Sequence, residues 1–253
     1  MLLRRITKHV RDQNWFAVFI DFVIVVVGVF IGIQVANWNE ERAERHREIE
    51  LIERLHNDFE RIVAWGDSSM PWVNSAAVDI SWLIEQIRSD SKPTLGEEFK
   101  LAAKASIYLM ATFEQSATYQ ELVATGTLSQ ISNSELREAL GNYGRSREAE
   151  RVVTEGLYAI QSNEVMRHAI RFETLPQKSK VTDDEVISVF QTLLSEMVIP
   201  ISFDWEELKK TEAYLHLVLQ NHIYVQGWKQ LTYSEAQKVL ALINQELGLP
   251  VTK

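Results

Sequence analysis

The chain has 253 residues, 46% of them hydrophobic and 24% charged, with a formal net charge of -9 and no cysteine. That composition fits one or two folded domains and argues against global disorder. Absent cysteine excludes disulfides, thiolate metal sites and thiol nucleophiles, and the acidic balance argues against a nucleic-acid partner, whose phosphates it would repel.

Charge is unevenly spread. In residues 1–38, Arg4, Arg5, Lys8 and Arg11 face only Asp12 and Asp21, so a slightly basic start precedes a strongly acidic remainder. Basic side chains at the start suit anionic lipid headgroups. From Trp15 to Trp38 the chain reads WFAVFIDFVIVVVGVFIGIQVANW. As a helix this stretch is about 36 Å long at 1.5 Å per residue, enough for the roughly 30 Å hydrocarbon core. Trp15 and Trp38 stand at its ends, where interfacial aromatics belong. Bulky and charged residues after Ala36-Asn37 fit no signal-peptidase site, so a retained signal anchor is expected. The positive-inside rule favours a cytoplasmic N-terminus and an exported body in a bacterial inner membrane.

Within this span, Asp21, Val25, Gly28, Gly32, Val35 and Asn39 follow 4-3 spacing and share one face. Gly28 and Gly32 form the G-x-x-x-G pattern that lets helix backbones approach. The stripe predicts a helix–helix contact, and hence a homo-oligomer or a subunit of a larger membrane complex. An ionisable residue inside a span is costly, so Asp21 also permits an oligomeric pore.

The segment VIVVVGVFIGIQVANWNEER resembles a family of single-span bacterial membrane proteins of unknown function. The family pattern is an acidic residue followed by L-V-V-x-G-I-x-I-x-x-Q-x-x-x-W-N-E-x-R. Val25, Val26, Gly28, Gln34, Trp38, Asn39, Glu40 and Arg42 match it, and Asp21 stands where glutamate is more usual. A second, looser resemblance lies in TYQELVATGTLSQISNSELREALGNY, residues 118–143. The resemblance implies topology and no activity.

Beyond Trp38 the pattern turns amphipathic. Ile52, Leu55, Phe59 and Ile62 predict a stalk helix over 39–66, broken at Gly66-Asp67-Ser68-Ser69 and restarted at Pro71. The body, 67–253, reads as all-α: an antiparallel helical bundle following a short cytoplasmic tail (1–14), the transmembrane helix (15–38) and the stalk. SDSKPTLGEE is a connector. Phe99 to Ala124 reads as helix interrupted near Ser116, with Gly126 as its stop. Ser132 and Glu135 form S-x-x-E and predict a restart that runs to Phe172. TLPQKSKVTDD is a loop, and Thr182 or Asp183 caps a short helix to Met197. VIPISF is an extended link, and Trp205 to Leu247 a long helix broken at Gly227 or near Thr232. Trp65, Trp72, Trp82, Trp205 and Trp228 are expected at the core or at helix junctions.

No catalytic or cofactor signature appears. His216 and His222 are placed on different faces of one helix, H-E-x-x-H does not occur, and a single E-x-x-H, Glu53 to His56, lacks the second copy and the further glutamates that a di-iron site needs. Glu97-Glu98 and Asp183-Asp184-Glu185 suit helix N-termini. No phosphate-binding glycine loop or nucleophile elbow is present. No catalytic residue, metal or cofactor is therefore expected, and the reading is a non-enzymatic membrane protein. Tyr119, Glu121, Gly126, Asn142 and Tyr143 cluster in the second family-like stretch and are the candidate binding or hinge region. The alternative role is an exported ligand-sensing bundle, its ligand unspecified, acting through a membrane partner.

Overall fold

The computed structural model describes residues 15–108, 115–160, 164–174 and 198–250. They are mostly helical. Helix α1 spans Trp15–Arg88, α2 Glu97–Ile107, α3 Ala117–Thr125, α4 Ser134–Ile160, α5 Glu164–Ala169, α6 Trp205–Lys209 and α7 Glu212–Leu247, with a 3-10 turn at Thr127–Gln130. Strands β1 (Ile170–Thr174) and β2 (Val198–Phe203) form an antiparallel pair. The chain divides into two compact units, Met1–Glu50 and Leu51–Lys253. The second takes in residues 51–66 of the segment expected to be a stalk.

In the first unit, every residue of α1 from Phe22 to Arg47 is exposed. Among the described residues α1 contains the one stretch long and apolar enough to cross a membrane, and none of that stretch is buried. Trp38 is 60% exposed, and the Arg42 guanidinium lies 5.8 Å from the centre of its ring.

In the second unit, the 3-4 spacing of apolar residues turns one side of each long helix inward. One core joins Ile52, Leu55, Phe59, Ile62, Met70 and Val73 of α1 to Leu136, Leu140 and Tyr143 of α4 and Ala236, Val239 and Ile243 of α7. A second joins Ile80, Leu83 and Ile87 of α1 to α2 through Phe99 and Ala103, to Ile170 of β1, and to Leu215 and Val218 of α7. Trp72 packs against both. Hydrogen bonds fix the direction of the helices. Along α1 and α7, Asn74 meets Gln226 and Arg88 meets Glu212, so one number falls as the other rises. Along α4 and α7, Asn133 meets Glu246 and Glu150 meets Lys229. Helix α7 thus runs antiparallel to both. Trp65, Trp72, Trp82 and Trp205 are half-buried against these two cores, and Trp228 is half-buried on α7.

Several expectations are corrected. The GDSS segment and Pro71 do not break α1. Pro71 is inside the helix, with Met70 and Val73 buried beside it, so core burial outweighs the missing N–H. Helix α4 is capped by Asn133, whose Oδ1 accepts the N–H groups of Glu135 and Leu136 at 3.0 and 3.1 Å, and not by Ser132. The helical reading as far as Phe172 fails because Ile170–Thr174 is strand. VIPISF is its partner strand, and the purely helical fold class is corrected accordingly. The alternation was hidden by Pro200, which lies opposite Phe172 next to an irregularity of register. The last long helix breaks at Lys210–Thr211 and not at Gly227 or Thr232. The interruption near Ser116 and the stop at Gly126 are found, the latter with φ +70° in the left-handed region. The loop and short helix expected over 175–197, like the tail 1–14, lie outside the described residues.

Candidate functional site

The second family-like stretch builds a junction where α1, α3 and α4 meet. Ser116 caps α3: its Oγ accepts the Tyr119 N–H at 3.0 Å. The same hydroxyl donates at 2.8 Å to Asp58 Oδ2 on α1, which also accepts the Thr118 N–H at 2.9 Å. Asp58 therefore serves as a second cap, supplied from another helix, at the positive end of α3. Burial opposes ionisation of Asp58. The bonds from Thr118 and Ser116 and the nearby Arg61 guanidinium outweigh it and hold the carboxyl below the usual carboxylate range.

Tyr143 of α4 is wholly buried, with its ring 4.8 Å from Phe59 and 5.9 Å from Tyr119, both edge-on. Burial pushes its phenol well above the usual range, so it stays protonated. Tyr119 crosses α4 at Gly144, where a Cβ would come within 2.6 Å of the tyrosine Cζ. Any side chain at position 144 would have to displace the Tyr119 ring. Beside it a shallow groove of about 690 Å³ is lined by Tyr119, Gly141, Gly144, Arg145 and Val152.

Of the five expected residues, Tyr119 and Tyr143 come together here. Glu121 faces outward and pairs with Arg54 of α1, and Asn142 bonds Arg145 one turn on. Gly126 is exposed at the helix stop. In the first unit, Val25 and Val35 of the expected stripe are 63% and 53% exposed, and no atom lies within 4 Å of a Cβ built on Gly28 or Gly32. Asn39 and Trp38 are exposed too. Trp15 and Asp21 belong to the same helix.

Two buried polar arrangements were not anticipated. Lys229 Nζ of α7 donates to Glu150 Oε1 of α4 at 2.9 Å, both side chains fully out of water, and lies 5.7 Å from the Trp65 ring centre. Burial pushes the Lys229 ammonium below the usual lysine value, with Glu150 acting in the opposite sense. The partners are 79 positions apart, so no local spacing signals them. His222 is buried, and its Nε2 donates to the Ala105 carbonyl at 2.8 Å. Burial lowers its pKa to about 4, the bond to Ala105 opposing the shift. His216, six positions earlier, is exposed and accepts from Arg88, so the two histidines do lie on different faces. Among the described residues no group of three or more His, Asp or Glu side chains is placed to hold a metal ion.

The chain belongs to a family of unknown function (DUF6090), whose model matches residues 21–202. The match opens at Asp21 and takes in both stretches on which the resemblance was drawn. No curated protein and no solved structure matches the chain.

Proposed function

We propose that this DUF6090 member is a non-enzymatic, single-span protein of a bacterial inner membrane that works by assembly. Residues 15–38 form the span, the basic tail is cytoplasmic, and the helical-bundle body is exported. The chain self-associates or serves as an accessory subunit of a larger membrane complex. What supports this reading is the bare surface of α1, where Phe22, Ile24, Val25, Phe30 and Ile31 are each more than half exposed. Water is a poor solvent for so continuous an apolar surface, and lipid a good one. The open positions at Gly28 and Gly32 offer a second helix a close backbone approach.

The test is the mass of the complex solubilised gently from native membranes, with its co-purifying subunits identified. A defined homo-oligomer or a fixed set of foreign subunits is expected. A strict monomer that carries no partner would contradict the proposal. The groove at Tyr119 favours a second reading, in which the exported body senses a ligand and acts through a membrane partner. A metabolite that raises the melting temperature, and loses that effect in Arg145→Ala, would support it.

A further inference from the structure

Helix α7 has two faces of different chemistry. Its inner face buries Leu215, Val218, His222, Val225, Lys229, Thr232 and Ala236. Its outer face carries Leu217, Gln220, Tyr224, Gly227, Leu231 and Ser234, all exposed. These six alternate by three and four positions, the spacing of a seam between two parallel helices. Leu217, Tyr224 and Leu231 recur every seventh residue and are 39%, 56% and 44% exposed. Ile223, 55% exposed, flanks them. At Gly227 no atom lies within 4 Å of a built Cβ, so another backbone can come close.

The second property is charge. Between Leu217 and Ser234 the only side chains able to be cationic are His222 and Lys229, and both are buried. The outer face is therefore neutral over about 27 Å, at 1.5 Å per residue, in a chain of net charge -9. Carboxylate and ammonium side chains resume only beyond its ends, at Glu212 and at Glu235 and Lys238.

We propose that this outer face of α7 seats a second copy of the same chain across a two-fold axis. In such an isologous contact each residue near the axis meets itself or its neighbour, so any charge there would face its like. A neutral apolar strip is what self-pairing requires. A charged foreign partner would find no complementary charge on it. Elsewhere acidic surfaces keep two copies apart. One helix face of this length falls short of the roughly 800 Å² per partner of a standard interface. The pairing therefore depends on confinement of the copies in one membrane, which raises their effective concentration. To that extent it rests on the membrane reading above.

The absence of native cysteine permits a clean test. Single variants Gln220→Cys, Gly227→Cys and Ser234→Cys of the full chain are oxidised in native membranes. Glu60→Cys on α1 and Glu148→Cys on α4, both exposed, serve as references. Because a disulfide needs Cα atoms within about 7 Å, the seam variants should give about ten-fold more linked homodimer than the references. Adding Leu217→Glu and Leu231→Glu to Gly227→Cys should remove that excess. Equal linking at seam and reference positions, or linking of the seam to a foreign subunit, overturns the proposal. The mass of the purified complex separates the two failures. A homo-oligomer without seam linking condemns this face alone, whereas a monomer without any partner condemns the assembly reading with it.

Discussion

Lys229 and Glu150 set the strongest constraint at the scale of single residues. The two side chains are fully out of water and 2.9 Å apart, with the Trp65 ring and the buried Arg147 nearby. Removing one partner leaves the other charge in the core, which costs roughly 3–5 kcal/mol, whereas replacing both by apolar groups is often neutral or better. Lys229→Met should therefore lower the stability of the body by that amount in urea titration. The double variant Lys229→Met with Glu150→Leu should recover part of the loss, the buried Arg147 guanidinium still standing in the same core. His222 gives a pH signature. Its pKa is about 4 when folded against about 6.5 for an unperturbed histidine. Above the unfolded value both states are neutral, so His222 contributes nothing there. Between pH 6.5 and 4 only the unfolded chain binds the proton, and roughly 3 kcal/mol of stability is lost as pH falls through that window. His222→Gln keeps a donor for Ala105 and cannot titrate, so its stability curve should be flatter over the same window. The sequence placed His216 and His222 on different faces because helical spacing alone decides that. It was silent on Lys229 and Glu150 because their pairing depends on how distant helices dock.

At the scale of elements, glycine and capping signals were legible where a local conformation demands them. Gly126 ends α3 in the left-handed region, as its place after Ala124-Thr125 suggests. Local chemistry misled where packing decides. Gly66, Ser68 and Pro71 together read as a break, yet α1 continues because Ile62, Met70 and Val73 are buried on either side. A proline in a helix interior removes one backbone bond and crowds the preceding turn, at a cost of up to about 3 kcal/mol against alanine. Pro71→Ala should thus stabilise the body by about 1–3 kcal/mol in thermal or urea unfolding. A loss of stability would show that α1 needs the proline's distortion to follow its core. The β pair was missed for a related reason. Pro200 and the irregular register at Arg171/Phe172 disrupt the alternation by which a strand is recognised.

At the scale of the whole molecule, composition and periodicity were enough to show a mostly helical chain with one long apolar helix. The antiparallel course of α7 against α1 and α4 was foreseeable only as a type of packing, since its register rests on pairs such as Asn74–Gln226 that lie 152 positions apart. The two units also differ in what they bury. The body closes two cores, while α1 from Phe22 to Val35 leaves its valines, isoleucines and phenylalanines open. A charged residue at the centre of a membrane helix costs about 2.5–3.5 kcal/mol on insertion scales. A pair of arginines at Val27 and Phe30 should therefore release the chain from the membrane.

The most direct measurement is an alkaline carbonate wash of membranes carrying the full chain, followed by sedimentation, with the Val27→Arg/Phe30→Arg variant alongside. The account predicts that the native chain stays in the pellet and that the variant shifts to the supernatant. Native chain recovered in the supernatant would contradict it, because the bare surface of α1 would then have some cover other than lipid.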